Sequence, residues 1–222
     1  MNVDTSFNVL SLCSGVGGLD LGIRLSNPDA RTVCYCERES YAIEVLAERM
    51  EEKLLDAAPL WTDIATFDGK PWRGVVDCIA GGYPCTPFSQ AGKRLGKDDP
   101  RHLWPHVKRI IGEVQPAWCF FENVRGHLTL GFDVVYADLR ELGYRVAAGI
   151  FSASEVGAPH RRERLYILAH AEQIGPRRLP YLAARHNDDG ETTRWEKSSG
   201  GTSQRCGDVA YATRQRQREP QH

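Results

Sequence analysis

Over the first 170 residues, short apolar runs rich in β-branched and aromatic side chains alternate with longer amphipathic segments. That alternation constrains the fold more than any other feature. Asn8-Val9-Leu10-Ser11-Leu12-Cys13 reads as a strand running into a glycine cluster, and residues 32–36 as a second strand. Residues 39–55 place Tyr41, Ile43, Val45, Leu46, Met50 and Leu54 closer to a helical period than to alternation. Val75-Val76-Asp77-Cys78-Ile79-Ala80 reads as a third strand, again ending on glycines, and residues 102–115 as a helix that Pro116 ends. Trp118-Cys119-Phe120-Phe121 is a fourth strand, and residues 132–142 are a helix stopped by Gly143. Residues 144–151 and 165–169 close the set as strands. This order predicts an α/β fold: a doubly wound, mostly parallel sheet with right-handed crossovers. Near His170 the character changes. Residues 172–208 are rich in Gly, Ser, Thr, Arg and Asp and hold few apolar anchors. The expected organisation is one domain over 1–170 and an irregular, basic C-terminal tail over 171–222.

A chain of 222 residues buries most of its apolar surface without disulfide or metal staples. It has no run of about 18 apolar residues, so no membrane helix is expected. Met1 to Phe7 has neither the basic nor the apolar stretch of a signal peptide, so a reducing cytoplasm is the expected location. There the seven cysteines read as buried thiols or a nucleophile, not as a disulfide framework. No C-x-x-C occurs, and Cys34-Tyr35-Cys36 has no second pair at zinc-finger spacing, so no metal site is expected. The formal net charge of −1 does not by itself suggest a nucleic-acid binder. Local clusters remain: Arg161, Arg162 and Arg164, and again Arg214, Arg216 and Arg218. A basic stripe on a neutral protein can still track phosphates, because contact is made through the local field. Solvated surface charge reads the second cluster equally well.

Four motifs carry chemistry. Ser14-Gly15-Val16-Gly17-Gly18 lies between a predicted strand and a predicted helix, where glycines admit a ligand close to the backbone and helix amides face an acidic group. Glu37 ends the next strand, where a carboxylate can accept from two ribose hydroxyls. The pair fits a nucleoside cofactor. It is not a G-x-G-x-x-G, since Asp20 stands three after Gly17, and a plain tight turn is the alternative. Gly81-Gly82-Tyr83-Pro84-Cys85-Thr86-Pro87 follows the third strand at the carboxyl edge of the sheet. A cysteine between prolines suits presentation as a nucleophile better than core packing. Cys13, Cys34, Cys36, Cys78 and Cys119 fall in predicted strands and read as core. Phe121-Glu122-Asn123-Val124 puts a carboxylate after an apolar run, as a functional acid or a cap. In His160-Arg161-Arg162-Glu163-Arg164, extended geometry projects Arg162 and Arg164 on one face; a surface ion-pair ladder is the alternative.

Together, in this order and spacing, these motifs resemble those of cytosine-5 DNA methyltransferases over residues 8–169. The Pro84-Cys85 loop and Phe121-Glu122-Asn123-Val124 are the most specific parts. The resemblance implies a Rossmann-like methyltransferase fold with an antiparallel end and S-adenosylmethionine as cofactor. It makes Ser14, Gly15, Gly17 and Gly18 the cofactor turn and Glu37 the ribose acceptor. Asp63 and Ile64 would meet the adenine, and Leu103, with Trp104, would line the cofactor. It makes Cys85 the nucleophile at cytosine carbon 6. Glu122 would bond the ring N3 and amino group, Arg164 the base carbonyl, and Arg162 would position the catalytic loop. Double-stranded DNA is the implied partner, and the location a prokaryotic or viral-host cytoplasm, in a restriction-modification setting.

The sequence departs from the family pattern at four places. Cys13 stands where an aromatic is common, Thr86 follows the nucleophile in place of Gln, and His160 replaces a Gln before the arginine pair. After Ala169 nothing reads as the family's last two motifs. The tail then reads as a partial target-recognition region. A second polypeptide supplying the rest, or an incomplete copy that binds without turnover, stays open beside the active enzyme. An RNA cytosine methyltransferase on the same scaffold is the remaining rival.

Overall fold

A computed structural model of the chain describes residues 6–84 and 103–172. The order is β1 (Phe7–Leu12), α1 (Gly18–Ser26), β2 (Ala30–Cys36), α2 (Ser40–Glu51), β3 (Leu60–Trp61), β4 (Cys78–Gly81), α3 (Trp104–Val114), β5 (Trp118–Val124), α4 (Phe132–Glu141), β6 (Tyr144–Ser152) and β7 (Glu163–Ala171). The strands form one sheet in the order β3-β2-β1-β4-β5-β7-β6. β1 to β5 pair in parallel, and β7 lies antiparallel between β5 and β6. The mostly parallel α/β sheet with an antiparallel end is therefore as expected.

Two packing layers hold the sheet. On one face Val107, Ile110, Ile111 and Val114 of α3, with Val135 and Leu139 of α4, bury against Leu10, Leu12, Phe121, Leu165 and Ile167. On the other, Leu19 and Ile23 of α1 pack over Val9, Cys78 and Ala80, and Leu46 of α2 packs over Tyr35 and Leu55. Successive strand residues face opposite layers, so the central strands β1 and β4 are buried almost throughout, and each buried large aliphatic side chain contributes roughly 1.5–3 kcal/mol.

Several boundaries differ from the sequence reading, each for a local reason. α2 stops at Glu51, and Lys53 adopts a left-handed φ of 61°, so Leu55 folds back beside Leu46 while Leu54 faces solvent. Its buried residues are Ala42 and Leu46, and Tyr41 is exposed. Val75-Val76-Asp77 is not strand. The Asp77 carboxylate accepts the Asn8 amide, at 2.9 Å, and ladder pairing with β1 starts only at Val9 and Cys78. Two strands run longer because they pair with each other. β5 continues through Glu122, Asn123 and Val124 against Tyr166, Leu165 and Arg164 of β7. The two-residue strand β3 has no counterpart in the sequence pattern.

Candidate active site

The parallel strands all point their carboxyl ends at one edge of the sheet, and antiparallel β7 begins there. Open α/β sheets bind ligands at that edge. A cleft of about 690 Å³ lies there. Its walls include Ser14, Gly15 and Gly18 from the turn after β1, Gly81 and Gly82 after β4, and Glu122 and Arg162.

The turn after β1 is built by main-chain geometry. Cys13 leaves the strand with φ 51°, which corrects its reading as a strand residue; it is half-buried and lines the cleft. Ser14 bonds β2 twice: its amide donates to the Cys36 carbonyl at 3.1 Å, and its hydroxyl accepts the Cys36 amide at 3.3 Å. Gly17 caps α1 in a left-handed conformation, φ 78°. A Cβ there would strike Leu55 and crowd Leu46, so the missing side chain lets α1 and α2 close up. No atom stands within 4 Å of the place a Cβ would take at Gly15 or Gly18, so the turn is open in front. Arg49 of α2 donates to the Val16 carbonyl and ties the turn to the neighbouring helix.

Glu37 follows β2. Its Oε2 accepts the Gly15 amide at 2.6 Å, and its Oε1 accepts the amides of Arg38 and Glu39 at 2.7 and 2.9 Å. One lone-pair position of the carboxylate, on Oε2, remains for a hydroxyl donor. The Glu37 amide donates to the Trp61 carbonyl, so β3 brings Asp63 to the same edge. Asp63 Oδ1 accepts the Ala65 amide at 2.9 Å. Ile64 is buried in the core cluster, and Arg109 of α3 holds its carbonyl at 3.0 Å. Leu103 packs partly against that same cluster and accepts the first amides of α3. Glu37, Asp63, Ile64, Leu103 and Gly17 are not walls of the cleft. An open glycine turn, helix amides and a carboxylate with a free acceptor position suit an amino-acid-bearing nucleoside such as S-adenosylmethionine.

The other end of the cleft is charged. Arg164 of β7 reaches Glu122 of β5, Nε to Oε1 2.5 Å, with side chains 20% and 29% exposed. Arg164 also donates to the Glu163 carbonyl at 2.9 Å. A charge-assisted contact of this kind is short and directional and fixes the carboxylate's orientation, and removing one partner leaves the other charge partly buried and unpaired. Glu163 turns away and pairs with Arg125 at 2.6 Å, so Arg162 and Arg164 do share one side, as alternation predicts.

Cys85 and residues 86–102 lie outside the described residues, as does the tail from residue 173. The strand that leads into Cys85 does not. Gly81 approaches the Leu12 carbonyl so closely that no side chain fits, and Gly82 faces Glu122 Oε2. Every cysteine among the described residues is held as a thiol. Burial pushes Cys34 up to about 11, and Cys13 and Cys36 to about 12, each of the latter two helped by Glu37. Burial raises Cys78 and Cys119 as well.

Two groups of buried polar residues lie inside or beside the motifs with no role that the sequence assigned to them. Asp20 is buried and accepts the hydroxyls of Ser11 and Thr32 at 2.9 and 3.2 Å, and burial raises its carboxyl. Tyr83, Asn123 and His127 form a second buried set beside Glu122. Only their position near the motifs could have drawn attention to them.

The chain resembles known proteins throughout its described part. It is 34% identical over 168 residues to the type II methyltransferase M.NgoMIV of Neisseria gonorrhoeae, covering 73% of this chain and 51% of that protein. It is 31% identical over 179 residues to the type II methyltransferase M.CviJI of a Paramecium bursaria Chlorella virus, covering 78% and 46%. The chain thus spans about half the length of these curated relatives. Among solved structures, a DNA modification methyltransferase encoded within a prophage of E. coli superposes with a TM-score of 0.61 at 27% identity, over 75% of this chain and 47% of that one. Spodoptera frugiperda DNMT2 superposes with a TM-score of 0.64 at 24% identity, over 76% and 51%, and shares the fold. Residues 7–215 match the family described as C-5 cytosine-specific DNA methylase, and the chain belongs to that family.

Proposed function

We propose that this chain transfers a methyl group from S-adenosylmethionine to carbon 5 of cytosine in DNA through a covalent Cys85 adduct. The observation that carries the reading is the Glu122–Arg164 pair. Its carboxylate lines one cleft with the open glycine turn, beside the strand end that leads into Cys85, and Arg164 holds it from behind the cleft wall.

S-adenosylmethionine, when bound, supplies the methyl group as a sulfonium electrophile. Ser14, Gly15 and Gly18 would hold its amino-acid end, Glu37 its ribose, and Asp63, Ile64 and Leu103 its adenine side. Gly17 contributes by closing α1 onto α2. Carbon 5 of cytosine is a poor nucleophile. The Cys85 thiolate forms a bond to carbon 6, and the ring double-bond pair shifts so that carbon 5 becomes enamine-like. Glu122, held by Arg164, bonds N3 and the exocyclic amine and favours that shift; Arg164 also reaches the base carbonyl. Carbon 5 would then take the methyl group, the S–CH3 bonding pair staying on the departing thioether, and loss of the carbon-5 proton would re-form the double bond as the C6–S bonding pair returns to Cys85. Splitting one hard step into two easier ones is what a nucleophile achieves. The base must leave the duplex stack to be reached, at a cost of a few kcal/mol. Arg162 and the clustered arginines of the tail are suited to phosphate contacts that offset it.

Residues 171–222 are proposed as part of a target-recognition region, acting with whatever else the full recognition unit contains, a second polypeptide included. The protein is assigned to the cytoplasm. No helix among the described residues is long and apolar enough to cross a membrane.

The test is transfer of labelled methyl from S-adenosylmethionine to duplex DNA and, separately, to RNA. Cytosine conversion sequencing maps the product, with Cys85→Ala as control. Methylcytosine in DNA that the variant fails to make supports the proposal. Methylation of RNA alone identifies the rival substrate. Cofactor binding without transfer identifies an incomplete or inactive copy.

A further inference from the structure

Tyr83 is held at three points. Its ring is buried, with centroids 5.1 Å from Trp104, 5.7 Å from Phe121 and 5.6 Å from His127. Its hydroxyl meets His127 Nε2 at 3.0 Å. Its carbonyl accepts Asn123 Nδ2 at 2.9 Å, while Asn123 Oδ1 accepts the Val124 amide, also at 2.9 Å. Tyr83 does not need this for the core alone, because a phenylalanine would fill the same space. The hydroxyl and its buried partner are an added specification.

The position of the clamp gives it meaning. Tyr83 stands two residues before Cys85, with the conformationally fixed Pro84 between them. The groups that hold it come from the strand end that carries Glu122: Asn123 is the next residue, and His127 sits in the 3₁₀ turn Arg125–Leu128 that follows. One short stretch of chain therefore carries the carboxylate of the cleft and grips the stem of the nucleophile. His127 is 4% exposed, and burial pulls its imidazole down to about 4, so it stays neutral, as a hydrogen-bonding group rather than a charge, through the neutral range.

We propose that His127 is a positioning residue: by bonding the Tyr83 hydroxyl it locks the Gly82–Pro84 stem, which Cys85 follows in sequence, to the strand that bears Glu122. This rests on the roles proposed above for Cys85 and Glu122. A thiol displaced by about 1 Å from its line of attack loses on the order of a hundredfold in rate, so such a lock has a kinetic reason to exist.

The test uses the full chain with Tyr83→Phe, which keeps the ring, and His127→Gln, which keeps a hydrogen-bonding group. Amide hydrogen exchange of the peptide spanning residues 82–88 needs no turnover. It is expected to speed up at least about tenfold in Tyr83→Phe and less in His127→Gln, with β1 and β2 peptides unchanged. Where the wild type transfers methyl groups, kcat is expected to fall about tenfold in Tyr83→Phe, with partial retention in His127→Gln and the cofactor KM within twofold. The double variant should be no worse than Tyr83→Phe alone. Unchanged exchange at residues 82–88 in both variants overturns the proposal, whatever the activity. So does faster exchange with unchanged kcat in an active enzyme. A wild type without transfer counts against the reading of Cys85, and exchange then still decides whether His127 holds the stem.

Discussion

At the β1 end of the cleft the groups that face a ligand are main chain. The turn is open in front of Gly15 and Gly18, and the Glu37 carboxylate beside it is already bonded to three amides. At the β5–β7 end they are charged side chains, with Arg164 on Glu122 and Arg162 nearby. The first end is suited to recognising shape and hydroxyls, and it is sensitive to added volume. The second is suited to polarising a base, and it is sensitive to lost charge. Substitutions at the two ends should therefore fail in different ways.

The largest effect is expected at the charged end. Arg164→Ala should lower the rate of methyl transfer about a hundredfold, because it leaves a partly buried Glu122 without its partner and removes a contact to the base. Cofactor affinity, read by calorimetry, should stay within about twofold. An equal loss of affinity would break the division between the two ends. Gly17→Ala should act only through the fold. A left-handed φ and the close approach of Leu55 together predict a loss of roughly 2–3 kcal/mol in a denaturant titration. Glu37→Ala should weaken cofactor binding about tenfold, the worth of one or two hydrogen bonds, with little change in rate at saturating cofactor.

A smaller effect separates buried chemistry from surface charge. The His127 imidazole lies at about 4 against an ordinary value of 6.5, so the fold opposes its protonation. Its contribution is complete above about pH 6.5 and is lost as the pH falls towards 4. Asp20 works in the opposite sense: its raised carboxyl favours the fold on the acid side and loses that contribution as the pH rises. Comparing thermal melts of wild type and His127→Gln at pH 7 and pH 4.5 cancels Asp20, and the wild type's advantage should shrink at the lower pH. Smallest of all, Glu163→Gln removes an exposed pair with Arg125 and should change stability by less than about 0.5 kcal/mol and transfer not at all. A large loss of transfer there would show that the whole ladder, and not its inward face, serves the site.

The β1 end was legible in the sequence because its chemistry is main-chain geometry, and glycine spacing between an apolar run and a helix reports it directly. Residues 14–18 and Glu37 stand where that pattern puts them, though Gly17 serves packing. The parallel strands were legible in the same way, as apolar runs. What pairing alone decides was not. β5 and β7 lengthen each other by two or three residues, which moves Glu122 and Arg164 inside strands. A five-residue apolar window cannot report that. Nor could Tyr83 and His127 be matched, since they are 44 residues apart and meet only across the sheet edge. α2 shows the opposite error, where apolar residues such as Tyr41 and Leu54 satisfied a period without being buried.

The central claim is that Cys85 bonds to cytosine carbon 6 while Glu122 and Arg164 hold the base. The direct measurement is to incubate the chain, with S-adenosylmethionine, on DNA carrying 5-fluorocytosine and to look for a protein–DNA adduct that survives denaturation. The fluorine at carbon 5 cannot leave as a proton does, so the ring stays bonded to sulfur. The account predicts an adduct that peptide mass spectrometry places on Cys85, that is absent in Cys85→Ala and that forms far more slowly in Arg164→Ala. An adduct on another residue, or labelled methyl transfer to cytosine that persists in Cys85→Ala, would contradict it.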